Sequence, residues 1–360
     1  MGEESTGWVS GGKGTVKRRS EKRRCADEVV WMIKNLELKN FKSIKHLELD
    51  CKKINLFIGE PNTGKSNILE ALGLVSWYKY GDTSLKEYVR FQGTQNLFYD
   101  DLLDQPVEIT IDKLNLGIEF KDDEFYFGSA LLKNSEKTDR RTIATLDYSG
   151  NIRSSSSLHE VEFIKFYRFV GQNKFPDSRS SFLLPPHGSN LFAVVMANKK
   201  FRETMARFFK NFGFKLVLKP QERTFEIQKQ VDDLVFSYPY VLTSDTLQRI
   251  IFHVIAMESN KNSTLVFEEP ESHSFPYYTK YLGERIAFDE TNQYFIATHN
   301  PYLLLSILEK AHKNSVNVFI TYFRDYQTKV KSLTDEQMSE LMDYDPFFNL
   351  DSFIFEEENR

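Results

Sequence analysis

From residue 33 onward the apolar positions of this chain fall into two textures. Ile54-Asn55-Leu56-Phe57-Ile58, Thr264-Leu265-Val266-Phe267 and Gln293-Tyr294-Phe295-Ile296-Ala297 are nearly continuous apolar runs. Such runs suit strands covered on both faces, as in a parallel sheet. Val107-Glu108-Ile109-Thr110-Ile111 and Glu124-Phe125-Tyr126-Phe127 instead mix apolar and polar positions. That texture predicts antiparallel strands across 106–170. The remaining pattern predicts strands at 33–39 and 44–50, a helix over 66–78, and a surface stretch over 79–105. Helices are expected across 189–212, a short β pair at 214–236, and a helix over 244–258. Ser154 to Ser157 reads as a linker or loop. No repeat of 20–50 residues and no sustained heptad is present.

Composition narrows the class. Of 360 residues, 41% are apolar, and 31 Phe with 17 Tyr make the chain unusually aromatic. This composition builds a core and excludes a wholly disordered chain. A net charge of −4 neither demands nor excludes a nucleic-acid partner. Cys25 and Cys51 lie in no C-x-x-C pattern, which argues against a disulfide framework and suits a reducing cytoplasm. The longest apolar run, near Ile250-Ile251-Phe252, is too short to span a bilayer, so no membrane role is expected. The first 31 residues are rich in Gly, Ser, Lys and Arg and lack hydrophobic periodicity. They read as a disordered tail or start extension, with a basic arm for nucleic acid as the alternative. Met32 would then be a sensible natural start.

The strongest chemical signal is Gly59-Glu60-Pro61-Asn62-Thr63-Gly64-Lys65-Ser66, which closes the run 54–58 and opens the helix beginning Asn67-Ile68-Leu69. It fits G-x-x-x-x-G-K-[ST] in the strand–loop–helix setting of a phosphate-binding loop. Glycines let the backbone wrap a phosphate chain with its N–H groups inward, and the helix adds its positive end. Lys65 would reach the β/γ-phosphates and Ser66 would take a place on Mg²⁺. Residues 59–67 are therefore the expected ATP-binding residues.

Thr264-Leu265-Val266-Phe267-Glu268-Glu269-Pro270-Glu271 supplies the second half of such a site. A parallel strand ending in two acids delivers them to the sheet edge where ligands bind. Glu268 is expected to hold Mg²⁺, and Glu269 to orient and deprotonate the attacking water. A dinuclear metal site drawing on these acids and His273 is an alternative that the pattern does not require. Downstream, a second buried run ends in Thr298-His299-Asn300-Pro301. His299 is expected beside the acids, in reach of the γ-phosphate and water.

Together with the opening Leu36-Glu37-Leu38-Lys39-Asn40-Phe41-Lys42-Ser43-Ile44, these motifs resemble the ATP-binding-cassette (ABC) ATPases of the SMC/RecF/OLD type. Leu184-Pro185-Pro186-His187-Gly188 also looks familial, so the resemblance frames 33–310. It implies an α/β P-loop NTPase of ABC type: a mixed or parallel central sheet, an antiparallel β lobe and a helical lobe. The implied organisation is a tail to residue 31, an ATPase domain over 32–330 with the lobes inserted at 106–240, and a C-terminal segment over 331–360. The family's signature helix, which meets the partner subunit's ATP, falls at Leu242-Thr243-Ser244-Asp245-Thr246. Ser244 matches the family serine, but the glycine that follows closely is absent, with Asp245 and Thr246 in its region. A glutamine-bearing loop is expected after the first helix, at Gln92 or Gln95. The resemblance implies two subunits docked head to tail around ATP and a separate effector protein, with nucleic acid as a further partner. It places the chain in prokaryotic anti-phage defence or DNA maintenance. A toprim nuclease is not expected in the remaining stretch. An ATP-sensing scaffold with little hydrolysis is the alternative, and a transporter subunit fits less well.

Two segments stay open. The helix near 199–212 carries Phe201, Met205, Phe208 and Phe212 beside Lys199, Lys200, Arg202, Arg207 and Lys210. It reads as an amphipathic helix with a solvated basic face, or as the wall of a groove for a phosphate backbone. The aromatic and acidic C-terminus, Phe347 to Glu358, would fold back on the core or dock on a partner.

Overall fold

The computed structural model describes residues 32–81, 84–133, 136–137, 140–156, 158–343, 347 and 350–355. The expectations for 1–31, Cys25, Ser157, Phe348, Asn349 and 356–358 lie outside the described residues.

The chain opens with β1 (Asn35–Phe41), β2 (Ile44–Asp50) and β3 (Ile54–Ile58), then α1 (Lys65–Tyr80). Next come β4 (Val107–Ile111), β5 (Leu114–Lys121), β6 (Glu124–Lys133), β7 (Glu136–Lys137), β8 (Arg141–Leu146), β9 (Ile152–Ser155) and β10 (Ile164–Tyr167). Two helices follow, α2 (Leu191–Ala197) and α3 (Lys199–Lys210), then β11 (Lys215–Lys219), β12 (Thr224–Val231) and β13 (Leu234–Pro239). The second half contains α4 (Asp245–Ser259), β14 (Thr264–Glu268), α5 (Pro276–Phe288), β15 (Gln293–Ala297) and α6 (Pro301–Lys310). It ends with β16 (Val316–Arg324), β17 (Gln327–Ser332), α7 (Asp335–Asp343) and α8 (Leu350–Phe355).

The central sheet has the order β10-β14-β15-β3-β16-β17, parallel except for β17. Alternation along its strands divides two cores. Leu56, Leu265 and Ile296 face one, with the helices, while Phe57, Val266 and Phe295 face the other, with α1. Both faces are covered, which is why these strands read as continuous apolar runs. Beyond α1 lies an antiparallel sheet of order β2-β1-β4-β5-β6-β8-β9, with β7 on β6. A third sheet has the order β11-β12-β13.

Four expectations need correction. The stretch 79–105 does not simply cross the surface: Leu85, Tyr88, Val89, Leu97 and Phe98 are buried among its short turns. The stretch expected to be antiparallel ends in β10, a parallel edge strand beside the acid strand. Ser154 and Ser155 belong to β9, paired with β8, rather than to a loop. The β pair is a three-stranded sheet. Local texture cannot separate these cases, because parallel and antiparallel pairing are settled by which strand lies alongside.

The described residues of the C-terminal segment pack back on the core. Leu350 and Phe353 enter the helix-side core, with Phe347 and Ile354 packed against it.

Candidate functional site

The phosphate loop joins the end of β3 to α1. Gly64 sits at the helix N-cap with φ of 97°, and no side chain caps the helix there. The first backbone N–H groups of α1 therefore remain open to an anion. The loop is braced from behind by β16 and β17. A Cβ on Gly64 would lie 2.0 Å from Thr328 Oγ1, and one on Gly59 would lie 2.3 Å from the Thr321 carbonyl oxygen. Both glycines are thus required by space as well as by backbone angle. The Thr63 hydroxyl donates to the Glu60 carbonyl (2.8 Å) and shares a hydrogen bond with Thr321 (2.7 Å). Asn67 donates to the Ser43 hydroxyl (2.7 Å), which shares a hydrogen bond with Thr328 (2.7 Å). Asn67 is therefore anchored to the β1–β2 turn.

Lys65 folds over the loop, and its ammonium donates to the carbonyls of Gly59 (2.8 Å) and Glu60 (2.7 Å). Burial pushes its pKa down to about 8, against the pull of Glu269 and Glu60. Ser66 lies within hydrogen-bonding reach of Glu268, the last residue of β14. A hydroxyl and a carboxylate brought together form a hard oxygen pair of the type that holds Mg²⁺.

Glu269 follows with φ of 42°, its N–H bonded to the Ala297 carbonyl on β15 (3.0 Å). That left-handed residue turns the chain so that Glu269 stands beside the next strand's terminus. Its Oε1 lies 3.4 Å from His299 Nε2, and its Oε2 accepts from the Ser272 hydroxyl (2.9 Å). Burial and the Lys65 charge hold His299 below the usual imidazole range, with Glu269 pulling the other way. Glu269, His299 and Lys65 thus converge, as the parallel neighbouring of β14 and β15 requires.

The other polar residues of these motifs hold the frame. Thr298 donates to buried Glu271, whose carboxyl is pushed up to about 7 by burial. Asn300 caps α6, accepting from the N–H groups of Tyr302 (2.9 Å) and Leu303 (3.3 Å). His273 lies 3.6 Å from Asp245 rather than joining the acids.

A charge cluster that sequence reading missed grips Glu268. Arg90 Nη2 lies 2.7 Å from one carboxylate oxygen and Arg168 Nη2 3.0 Å from the other. The same two arginines reach fully buried Glu70 on α1, at 2.6 Å and 3.3 Å, and Lys42 pairs with Glu70 from the β1–β2 turn. Burial alone would push Glu268 up, but Arg168, Arg90 and Ser66 outweigh it and hold the carboxyl below its usual range. The available signal was Glu70 itself, a charge inside the apolar run Ile68-Leu69-Glu70-Ala71-Leu72. A buried carboxylate there demands cationic partners. Of the segment carrying Gln92 and Gln95, it is Arg90 that reaches the acid strand. A third glutamine, Gln172, lies on the loop leaving β10, next to that strand.

Ser244 is the exposed N-cap of α4 and Asp245 its first residue. Asp245 pairs with Arg249 (3.4 Å), and the Thr246 hydroxyl donates to the His273 carbonyl (2.7 Å). The start of α4 and the loop after the acids are thereby tied together.

Residues 32–183 match the family model described as AAA ATPase domain. Two curated relatives carry the name DNA replication and repair protein RecF. The one from Lactococcus lactis subsp. cremoris is 38% identical over 65 residues, and the one from Clostridioides difficile is 40% identical over 68. Each alignment covers 18% of this chain and 18% of the relative, so the chain spans under a fifth of the curated relatives it matches. Over residues 32–183 the chain is thus similar to AAA ATPase domains, and over a shorter stretch to RecF proteins. The chain is also similar to solved SMC heads. One, crystallised with the C-winged helix domain of ScpA, is 17% identical, with a TM-score of 0.49 over 85% of this chain and 99% of that one. Another, from Thermotoga maritima, is 17% identical, with a TM-score of 0.39 over 84% and 99%. Among the described residues, no helix is long and apolar enough to cross a membrane.

Proposed function

We propose that this chain is an ATP-binding and hydrolysing switch, two copies of which dock head to tail around ATP and control a separate effector or act on DNA. The observation that carries it is the convergence of Lys65, Glu269 and His299 beside the Ser66–Glu268 pair. Ser66 and Glu268 are the oxygen ligands that would hold Mg²⁺. When bound, the ion would supply charge neutralisation between the β- and γ-phosphates. Lys65 would exchange the loop carbonyls for phosphate oxygens, while the loop N–H groups and the open start of α1 bind the remaining anionic charge. Glu269 would take a proton from the attacking water. His299, held neutral, would donate to the γ-phosphate and orient that water. Ser244 and Asp245 would meet the partner's ATP. The relatives' names support a role in DNA maintenance, and anti-phage defence is the other setting this reading allows.

The test is ATP turnover and solution mass, measured side by side for the wild type and Glu269→Gln. Turnover by the wild type, with the variant stalled as an ATP-bound dimer, supports the switch. ATP binding by both with no turnover by either overturns the hydrolytic reading in favour of a nucleotide-gated scaffold.

A further inference from the structure

The second chemically rich region lies on the helix side, between α3, α4 and α5. A cavity of about 230 Å³ opens there between Lys200 and Arg207 of α3, Glu258 of α4, and Tyr277, Tyr281 and Arg285 of α5. A neighbouring cavity of about 360 Å³ shares Lys200, Glu258 and Arg285 and adds Lys261 and Phe288. The two are slots of one groove, divided by a shared ionic bridge.

That bridge is built from a buried carboxylate. The Glu258 side chain is 8% exposed, lies 3.0 Å from Lys200 Nζ, and pairs with Arg285. Glu203 is engaged by Lys199 at 3.7 Å. Among the described residues, no carboxylate pairs with Arg207, which is near enough to Tyr281 and Arg285 to act on both electrostatically. The groove therefore offers one uncommitted guanidinium inside its first slot. One further basic side chain, Lys210, follows Arg207 a turn later along α3.

The walls are aromatic. Tyr277 meets Tyr278 edge-on at 5.3 Å between ring centres, Tyr278 lies 6.4 Å from Phe208, and Phe208 meets Tyr281 at 6.0 Å. Arg285 stands over Tyr281 at 5.8 Å. Tyr277 is 68% and Phe288 65% exposed, so each slot presents an open aromatic face. Large exposed rings beside uncommitted positive charge suit a ligand with both a flat aromatic face and a phosphate.

We propose that this groove binds single-stranded nucleic acid, with one base against Tyr277 and its phosphate on Arg207, and the next nucleotide in the slot bearing Phe288 and Lys261. Two adjoining slots argue for a strand rather than a lone nucleotide. Slots of this size take an unstacked base, which a duplex does not offer. The inference rests on surfaces away from the phosphate loop and holds whether or not the chain hydrolyses ATP.

The test uses the full chain without ATP and a fluorescent 15-residue deoxythymidine oligonucleotide. Duplex of equal length and adenosine monophosphate serve as competitors. Tyr277→Ala should weaken oligonucleotide binding about 5- to 150-fold, the range for one lost base stack. Arg207→Ala should lower the slope of log K against log salt by about 0.7. Lys229→Ala, on β12, should leave binding unchanged. Because Tyr277 and Arg207 are not core residues, circular dichroism and ATP binding should match the wild type in both variants. No oligonucleotide binding by the wild type, or binding indifferent to Tyr277 and Arg207, overturns the inference. Monophosphate competing as well as the 15-mer overturns the strand and leaves a free-nucleotide site. Failed ATP turnover leaves the groove untouched, so the two readings fail separately.

Discussion

At the scale of single residues, the site works by placing groups whose ordinary chemistry would not suffice. Lys65, half-neutralised near pH 8 by burial, is the clearest case. A phosphate chain favours its charged form, so the complex holds the proton more tightly than the free protein. ATP affinity is therefore complete below pH 7 and declines as pH rises through 8, by up to about tenfold per unit. Calorimetric titration between pH 6.5 and 9.5 checks this, with proton uptake above pH 8 as its companion signature. Lys65→Met should abolish the pH dependence and weaken binding about 10- to 100-fold, the usual range for a lost charge-assisted contact. Glu269→Gln should slow single-turnover hydrolysis about 10²- to 10⁴-fold while leaving ATP binding within a few-fold. The sequence carried these residues openly, because a phosphate loop and a strand ending in acids have few other uses. It could not show that Thr298, Glu271 and Asn300 brace the frame around His299. That assignment depends on hydrogen bonds across β14 and β15.

At the scale of elements, the decisive contact is between the phosphate loop and the β16–β17 hairpin. Gly64→Ala combines a strained φ of 97° with a 2.0 Å approach to Thr328, and should cost about 2–4 kcal/mol by denaturant unfolding. Adding Thr328→Gly removes the steric part and should recover some of that loss, leaving the backbone strain. Glu70 gives a second test. It is fully buried, and three cations reach it. Glu70→Ala would leave Lys42 largely buried without its counter-charge and Arg168 with Glu268 alone, a loss of about 3–5 kcal/mol. Arg90 is more than half exposed, so Arg90→Ala should cost under about 1 kcal/mol of stability. Strands and helices were legible here because each texture had enough length to declare its period. The cluster around Glu70 was not, since its members come from four separate segments and only the folded sheet order joins them.

At the scale of the whole molecule, two cores flank one sheet, and the candidate site gathers at the ends of β3, β14 and β15 and at the start of α1. The fold class was readable because β3, β14 and β15 carry both the apolar runs and the motifs. The position of β10 was not readable, because nothing in Ile164-Lys165-Phe166-Tyr167 says which strand it will lie beside. If the chain is the switch proposed, its mass should double on adding ATP to Glu269→Gln, and Ser244→Arg should prevent this without reducing ATP binding. Light scattering beside nucleotide titration measures both, and a dimer that survives Ser244→Arg places the interface elsewhere.

The bracing of the phosphate loop has a consequence in time. Thr63, Thr321, Ser43 and Thr328 form a rigid backing, so the loop has little conformational freedom to surrender when phosphate arrives. A preformed cradle makes arrival a matter of encounter, and the lifetime of the bound state is then set by departure. The loop backbone would keep its shape as nucleotide leaves, and Lys65 alone would change partners, returning to the carbonyls of Gly59 and Glu60. If the chain is the switch proposed, the time it spends bound would be set by whatever stands across the open face of the site rather than by a rate of closing.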